Sequence, residues 1–398
     1  MTSPYASPLL NTEGAIGAVG LDSGVADHYG QPLLEQRALA QGQALVDASN
    51  RGVVELVGEQ AFHLLHILCS QDFEGTPWQQ TGDLPHSTEA LFFDVQGRIE
   101  LAPKSLVLQS EPQQRVLLLT EAEEATAVTD WLNKMKFMMS VEIRDVSAEY
   151  AQVISCAPVA EWSQTDDGFP CWIDPWPNIA PGGYNYSVFE EAQHPGQDIS
   201  FFHYVLPRAE FAELLAKQQA AGWSLAGVSS LEALRIAAAR PRYGMETDER
   251  TIPHELDWIR TAVHLEKGCY KGQETVARVH NLGRPPRRLV LLHIDGSQHT
   301  LVGAGAQIIQ AIGGKEREVG TVTSAGLHYE MGQIALGLVR RNVDPEADLI
   351  ISEVHAEGAA PTLYAAAQEV VVSPVAGQVV GRPAGIKADR SGNRDLRR

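Results

Sequence analysis

The stretch NLGRPP, Asn281–Pro286, constrains the fold of this 398-residue chain more than any other. Two consecutive prolines remove two backbone donors and fix two φ angles, and each also drives the residue before it out of the helical region. No helix or strand can run through the segment, so the chain divides there. Downstream, RRLVLLHIDG (287–296), EVGTVTSAG (318–326), IALGLVRR (334–341) and EVVVSPVAGQVV (369–380) are short β-type runs at regular spacing. That is the pattern of a small barrel or sandwich. Residues 285–382 are thus set apart as a C-terminal β domain, barrel or sandwich, followed by a solvated basic tail, 383–398.

Upstream the pattern is mixed. Residues 1–44 are rich in Gly, Ala and Ser without a clear period and read as loosely ordered. RGVVELVG (51–58) alternates like a strand, and EQAFHLLHILCSQDF (59–73) carries Phe62, Leu65 and Leu68 at helical spacing. ALFFDVQGRIELAP (90–103) reads as a hairpin turning at Gln96-Gly97, RVLLLT (115–120) as a strand and EEATAVTDWLNKMKFMM (123–139) as a helix. Pro-, Gly- and aromatic-rich FPCWIDPWPNIAPGGYNYSVF (169–189) has no period and reads as a surface loop or lid. Ser229 and Glu232 have the spacing of a capping box opening the helix in AGVSSLEALRIAAA. The class is α+β across residues 45–284.

Composition narrows the partners. A net charge of −19 opposes any phosphate backbone, so nucleic acid is not an expected partner. No run approaches the length of a membrane span, and the N-terminus lacks a secretory pattern, so no membrane association is expected. Four scattered cysteines without CxxC give neither a disulfide framework nor a metal site, and a reducing cytoplasm is the expected compartment. His63, His66 and Cys69 superficially resemble metal ligands, but the sixth position has rotated off the face shared by the first two.

One cysteine stands out. In KGCYKGQE (267–274), Lys267 and Lys271 flank Cys269 at two positions on either side, and Gly268 and Gly272 free the backbone. Nearby cations favour a thiolate, which is the nucleophilic form, so a reactive thiol at the rim of a pocket is one reading. A small buried hydrophobe flanked by solvated lysines is the other.

The octapeptide resembles the signature of the YgfZ family, folate-binding relatives of the glycine-cleavage T-protein, an aminomethyltransferase. LRIAAARPRYGMETDE (234–249) is similar to the same superfamily's LR…YG.E.DE stretch, and weaker likeness extends from about Val46 to Val380. The resemblance implies a three-domain ring around a tetrahydrofolate cleft, with residues 45–284 as two interleaved domains and 285–382 as a small C-terminal β-barrel domain. It also implies a role in assembling or repairing iron–sulfur enzymes as clients. The residues it points to are Cys269 and Lys267 as catalytic, the motif residues Gly268, Tyr270, Lys271, Gly272, Gln273 and Glu274, and Arg235, Tyr243 and His203 as folate contacts. The expected cofactor is tetrahydrofolate or a one-carbon derivative. Arg235 is open to a second reading, a buried helix arginine satisfied by Glu232 or Glu246.

The departures bear on activity. RVLLLTEAEEATAVTDWL (115–132) lacks the T-protein asparagines and places Thr126 or its neighbours where an acid is expected, and DISFFHYVLP (198–207) offers His203 in place of a glutamate. Aminomethyl transfer needs a positioned base, so these losses favour a folate-binding maturation protein over a folate-dependent aminomethyltransferase or demethylase. A third reading is a non-catalytic folate-sensing scaffold that docks a client through the Trp172–Tyr186 loop.

Overall fold

The structure, a computed structural model, describes residues 5–75, 85–122, 124–163, 168–313, 315–355 and 360–377. The basic tail lies outside these residues. Two five-stranded sheets and one closed barrel dominate the described chain.

The first sheet runs Glu142–Asp145, Gly52–Gly58, Gln114–Thr120, Lys104–Gln109, His86–Glu89, antiparallel throughout. Its strands alternate as pleating requires. Val54, Leu56, Val107, Val116 and Leu118 face the helices Ala61–Leu68 and Glu124–Met135. Val53, Leu106, Leu117 and Leu119 face the other way, against Val146, Trp172 and Val205 of the second assembly. The second sheet runs Cys171–Ile173, Phe202–Pro207, Tyr150–Ser155, Ala44–Asp47, Ser224–Ala226, with only the last pair parallel. The chain leaves this sheet at Asp47, builds the whole first sheet and returns at Tyr150, so the two are interleaved.

That topology corrects the reading of the first 44 residues as loosely ordered. Pro32–Ala40 is a helix, and Val25, Leu39, Ala38 and Ala40 pack with Val228, Leu231 and Leu234 of the helix Val228–Ala237. Small alanines at the contact gave no apolar period to read. The 169–189 segment is likewise no lid. Trp172, Trp176 and Tyr186 are buried, and their polar atoms are tied inward: Trp172 Nε1 donates to Thr88 O at 2.8 Å and Trp176 Nε1 to Ala238 O at 3.0 Å. It is a strap whose large aromatic side chains run into the core, while Ile173 and Ile179 stay exposed between them. The capping box is also absent. Gly227 precedes the helix, Ser229 Oγ donates to Asp27 O at 2.6 Å, and Glu232 turns to arginines.

Beyond the double proline, six strands close a barrel in the order Arg287–Ile294, Gly332–Arg340, Lys315–His328, Gln307–Ile312, Leu349–Glu353, Thr362–Val370. Val290, Leu292, Ile308, Val322, Ala335 and Ile351 fill it. Among the described residues, no helix is long and apolar enough to cross a membrane.

Candidate functional site

Where the two sheets meet, their ends leave a narrow slot. It holds about 580 Å³ of empty space, counted out to the open solvent at its mouth. Strand register explains the first wall: Glu89, Lys104 and Leu119 are cross-strand neighbours and therefore share a face. His203 comes from the second sheet, paired with Trp172 and lying edge-on to its ring at 5.2 Å. The third wall is the segment after the helix Val228–Ala237. Ala239 sits at φ +50°, and this left-handed residue redirects the chain so that Arg240 and Arg242 both turn into the slot.

Five cationic and four carboxylate side chains line the slot. Most are mutually saturated. Arg242 donates to Asp22 at 2.7 and 2.8 Å, to Glu121 at 3.0 and 2.7 Å and to Glu232 at 3.0 Å. Burial works against ionisation of Glu121, yet Arg242 and Arg51 hold its carboxyl far below the usual range. Arg235 donates to Glu232 at 3.0 and 2.7 Å, to Glu246 at 2.9 Å, to Arg240 O at 2.8 Å and to Ser324 Oγ of the barrel at 2.7 Å. A guanidinium has five N–H donors, so both arginines have none left for a ligand. Arg235 lines the slot but supports it from behind, the second of its two readings.

Donors remain elsewhere. Arg240 lies between Trp176 and Trp258, its guanidinium 5.2 and 5.9 Å from their rings, and it binds Asp174 at 3.0 and 3.1 Å and Glu89 at 2.5 Å. Its Nη1 is buried and unpartnered, as is His203 Nδ1. Burial, with Lys104, Arg51 and Arg240 nearby, pushes His203 well below its ordinary pKa, so the imidazole is neutral. Tyr243 stands at the mouth, its OH donating to Glu100 O at 2.5 Å, and burial raises it to about 12. The three expected folate contacts, Arg235, Tyr243 and His203, thus line one slot. Arg240, Lys104 and the carboxylates were missed. The RPR triplet after an alanine run was the available signal for Arg240: arginine beside apolar residues needs a buried partner.

An adjoining cavity shares Glu121 and Tyr243 with the slot and contains Glu124. Glu124 Oε2 accepts the Glu121 N–H at 3.0 Å while Oε1 is buried without a partner. Burial, joined by the Glu121 charge, lifts its pKa to about 7. Thr126, which falls where the acid was expected, instead donates to Asp145 at 3.0 Å on the exposed side of the same helix.

The signature loop is built differently. Lys267 is buried and its ammonium caps the helix Ala61–Leu68, donating to the carbonyls of His66, Cys69 (2.8 Å) and Gln71 (3.0 Å). That is the favourable place for a cation, where helix carbonyls lack partners. Tyr270 is buried with its ring 5.9 Å from Phe93, and Lys267 lies 5.2 Å from it. Gly272 has φ +84°, and a Cβ there would meet Asp94 O of the 94–97 turn at 2.5 Å. It precedes the helix Gln273–Leu282, whose Gln273 Nε2 donates back to Lys267 O at 3.0 Å. Lys271 pairs with Glu100 at 3.0 Å. Cys269 is exposed and does not line the slot.

Both lysines that flank Cys269 in sequence have other partners: one ammonium is anchored on backbone carbonyls and the other on a carboxylate. The thiol that Lys267 acts on is Cys69, which burial nevertheless raises to about 11. A Cβ on Gly268 would lie 4.0 Å from His66 Nε2, so the position is open, and Glu274 lies in the first turn of the helix. A groove lined by Tyr243, Gly244, Glu100 and Lys271 runs between the slot mouth and the loop. Among the described residues, no group of three or more metal-ligating side chains converges.

No family model matches the chain. It is 24% identical over 355 residues to an aminomethyltransferase of Moorella thermoacetica, an alignment covering 84% of this chain and 89% of that one. It is 32% identical over 119 residues to the tRNA-modifying protein YgfZ of Aliivibrio fischeri, covering 30% of this chain and 37% of the relative. The solved structure of glycine cleavage system aminomethyltransferase T from Bartonella henselae superposes with a TM-score of 0.68 at 19% identity, over 93% of this chain and 97% of that one. The fold is that of the aminomethyltransferases, and the YgfZ likeness is local.

Proposed function

We propose that this chain, built on the aminomethyltransferase fold, binds tetrahydrofolate or a one-carbon derivative in the slot and supports the assembly or repair of iron–sulfur enzymes. The observation that carries the reading is the slot's unfinished hydrogen bonding: Arg240 Nη1 and His203 Nδ1, from two residues that line it, are buried without partners. Buried polar groups are almost always satisfied, and a pterin edge, which alternates donors and acceptors, would satisfy these. In this reading Arg240 and His203 meet the ring, Tyr243 stands at the mouth, and Arg235 stiffens the wall. Cys269 is the exposed thiol presented to a client, and Lys267 holds its loop. The three-domain ring around the cleft, and the cytoplasm as compartment, belong to the same reading.

Thermal unfolding with and without tetrahydrofolate tests it. The expected result is a melting temperature that rises with ligand in both wild type and Cys269→Ala, while the variant fails to restore iron–sulfur enzyme activity in cells lacking the protein. No shift at saturating ligand removes the folate reading, and full rescue by Cys269→Ala removes the thiol.

Glu124 favours a second reading, folate-dependent aminomethyl transfer or demethylation. A carboxyl poised near neutrality beside the slot is the kind of acid–base group that reaction needs. Steady formation of methylenetetrahydrofolate from a methylamine donor, abolished in Glu124→Gln, would place it first.

A further inference from the structure

Lys104 differs from every other lysine whose contacts are described. Lys267 is capped by three carbonyls, Lys271 by Glu100, Lys136 by Val141 O at 2.9 Å and Lys217 by Glu161 at 3.5 Å. The Lys104 ammonium lines the slot, lies 5.7 Å from the Trp172 ring and, among the described residues, has neither a hydrogen-bond acceptor nor a carboxylate in ion-pair range. A lysine without an acceptor in a desolvated cleft is poorly held as a cation, and a neutral amine there is a nucleophile.

We infer that Lys104 captures a small aldehyde inside the slot as a reversible imine. The neutral nitrogen attacks the carbonyl carbon, the N–C bond forms and the carbonyl π pair moves to oxygen. Protonation of that oxygen expels water and leaves a C=N bond. Ammonium plus aldehyde gives iminium plus water, with no net proton or electron exchanged. The slot gives a small carbonyl compound access to Lys104, formaldehyde being the simplest.

The surroundings agree. Glu89 and Glu121 favour the charged form, while burial and the guanidiniums of Arg51 and Arg240 oppose it, and the balance brings Lys104 down to about 8. His203 faces the slot as a neutral ring, and Glu124 sits in the adjoining cavity. At pH 7 such an amine is roughly 10% neutral, about two hundred times the fraction of an ordinary lysine. The inference rests on reading the slot as a ligand cleft, but not on the ligand being a folate.

The test uses the native full-length chain with limiting formaldehyde and cyanoborohydride, which traps an imine as a methylamine, followed by peptide mass spectrometry at each lysine. At pH 7, Lys104 is expected to gain methyl groups at least ~10-fold faster than exposed Lys217 and Lys271, allowing for restricted access. Its rate should level off above pH 8 while theirs keeps rising. Labelling of Lys104 no faster than that of the two reference lysines overturns the inference, and needs no variant that has to fold. Preloading with 5-formyltetrahydrofolate, whose blocked N5 does not consume formaldehyde, separates the two proposals. Protection of Lys104 supports both. Fast labelling without protection upholds the imine and counts against folate in the slot.

Discussion

The slot and the signature loop hold charge in opposite ways. In the slot, arginines and carboxylates neutralise one another, Arg240 Nη1 and His203 Nδ1 are left buried without partners, and the Lys104 ammonium of a half-buried side chain lies against the Trp172 ring. In the loop, the charged group is bound to backbone carbonyls and an exposed sulfur is left over. The residues that make KGCYKGQE conspicuous mostly hold the loop in place. The groups able to recognise a ligand lie in segments that look ordinary in sequence.

That contrast can be broken by substitution. Arg242→Met should do the most damage, because Asp22, Glu121 and Glu232 lose their shared cation while buried. The expected loss is about 3–5 kcal/mol in urea unfolding, and a loss below 1 kcal/mol would mean the network is not structural. Lys267→Met, also buried, leaves three helix-end carbonyls without their donor. A loss of about 2–3 kcal/mol is expected, with faster proteolysis between Leu265 and Gly272 and no change in folate binding. Glu124→Gln sharpens the comparison through pH. The folded protein holds the Glu124 proton up to about pH 7, so this group's contribution is complete below the ordinary carboxylate pKa of about 4.3 and is lost as pH rises toward 7. The variant, free of that loss, should therefore gain of the order of 3–4 kcal/mol over wild type at pH 8 and almost nothing at pH 4. An equal gain at both pH values would contradict the raised pKa. Cys269→Ser should change stability by less than about 0.5 kcal/mol, since the side chain is exposed; alkylation of wild type with iodoacetamide should nonetheless modify Cys269 before the buried Cys69.

Much of the architecture was legible where period or punctuation was strong. The double proline marked the barrel, the alternation of Val53 to Leu56 marked a two-faced strand, and Gln96-Gly97 marked the turn on which Gly272 now rests. Interleaving was legible only through the family resemblance, because the partners of Ala44–Asp47 lie more than a hundred residues downstream. The 169–189 strap misled for a related reason. Pro and Gly usually signal surface, but two tryptophans and a tyrosine draw this segment inward. Arg235, Tyr243 and His203 were found through resemblance and do share a slot, whereas their hydrogen-bond saturation is a tertiary property that no spacing records. Lys104 and Glu124 escaped notice because nothing local separates a desolvated lysine or glutamate from a solvated one.

The central claim is that ligand recognition resides in the slot and not at the signature cysteine. Calorimetric titration of tetrahydrofolate into wild type, Cys269→Ser and Arg240→Lys tests it most directly; lysine retains the charge facing Glu89 and Asp174 but lacks the Nη1 donors. The account predicts affinity within twofold of wild type for Cys269→Ser and at least ~10-fold weaker binding for Arg240→Lys, about 1.4 kcal/mol. Undiminished binding by Arg240→Lys together with lost binding by Cys269→Ser would contradict it.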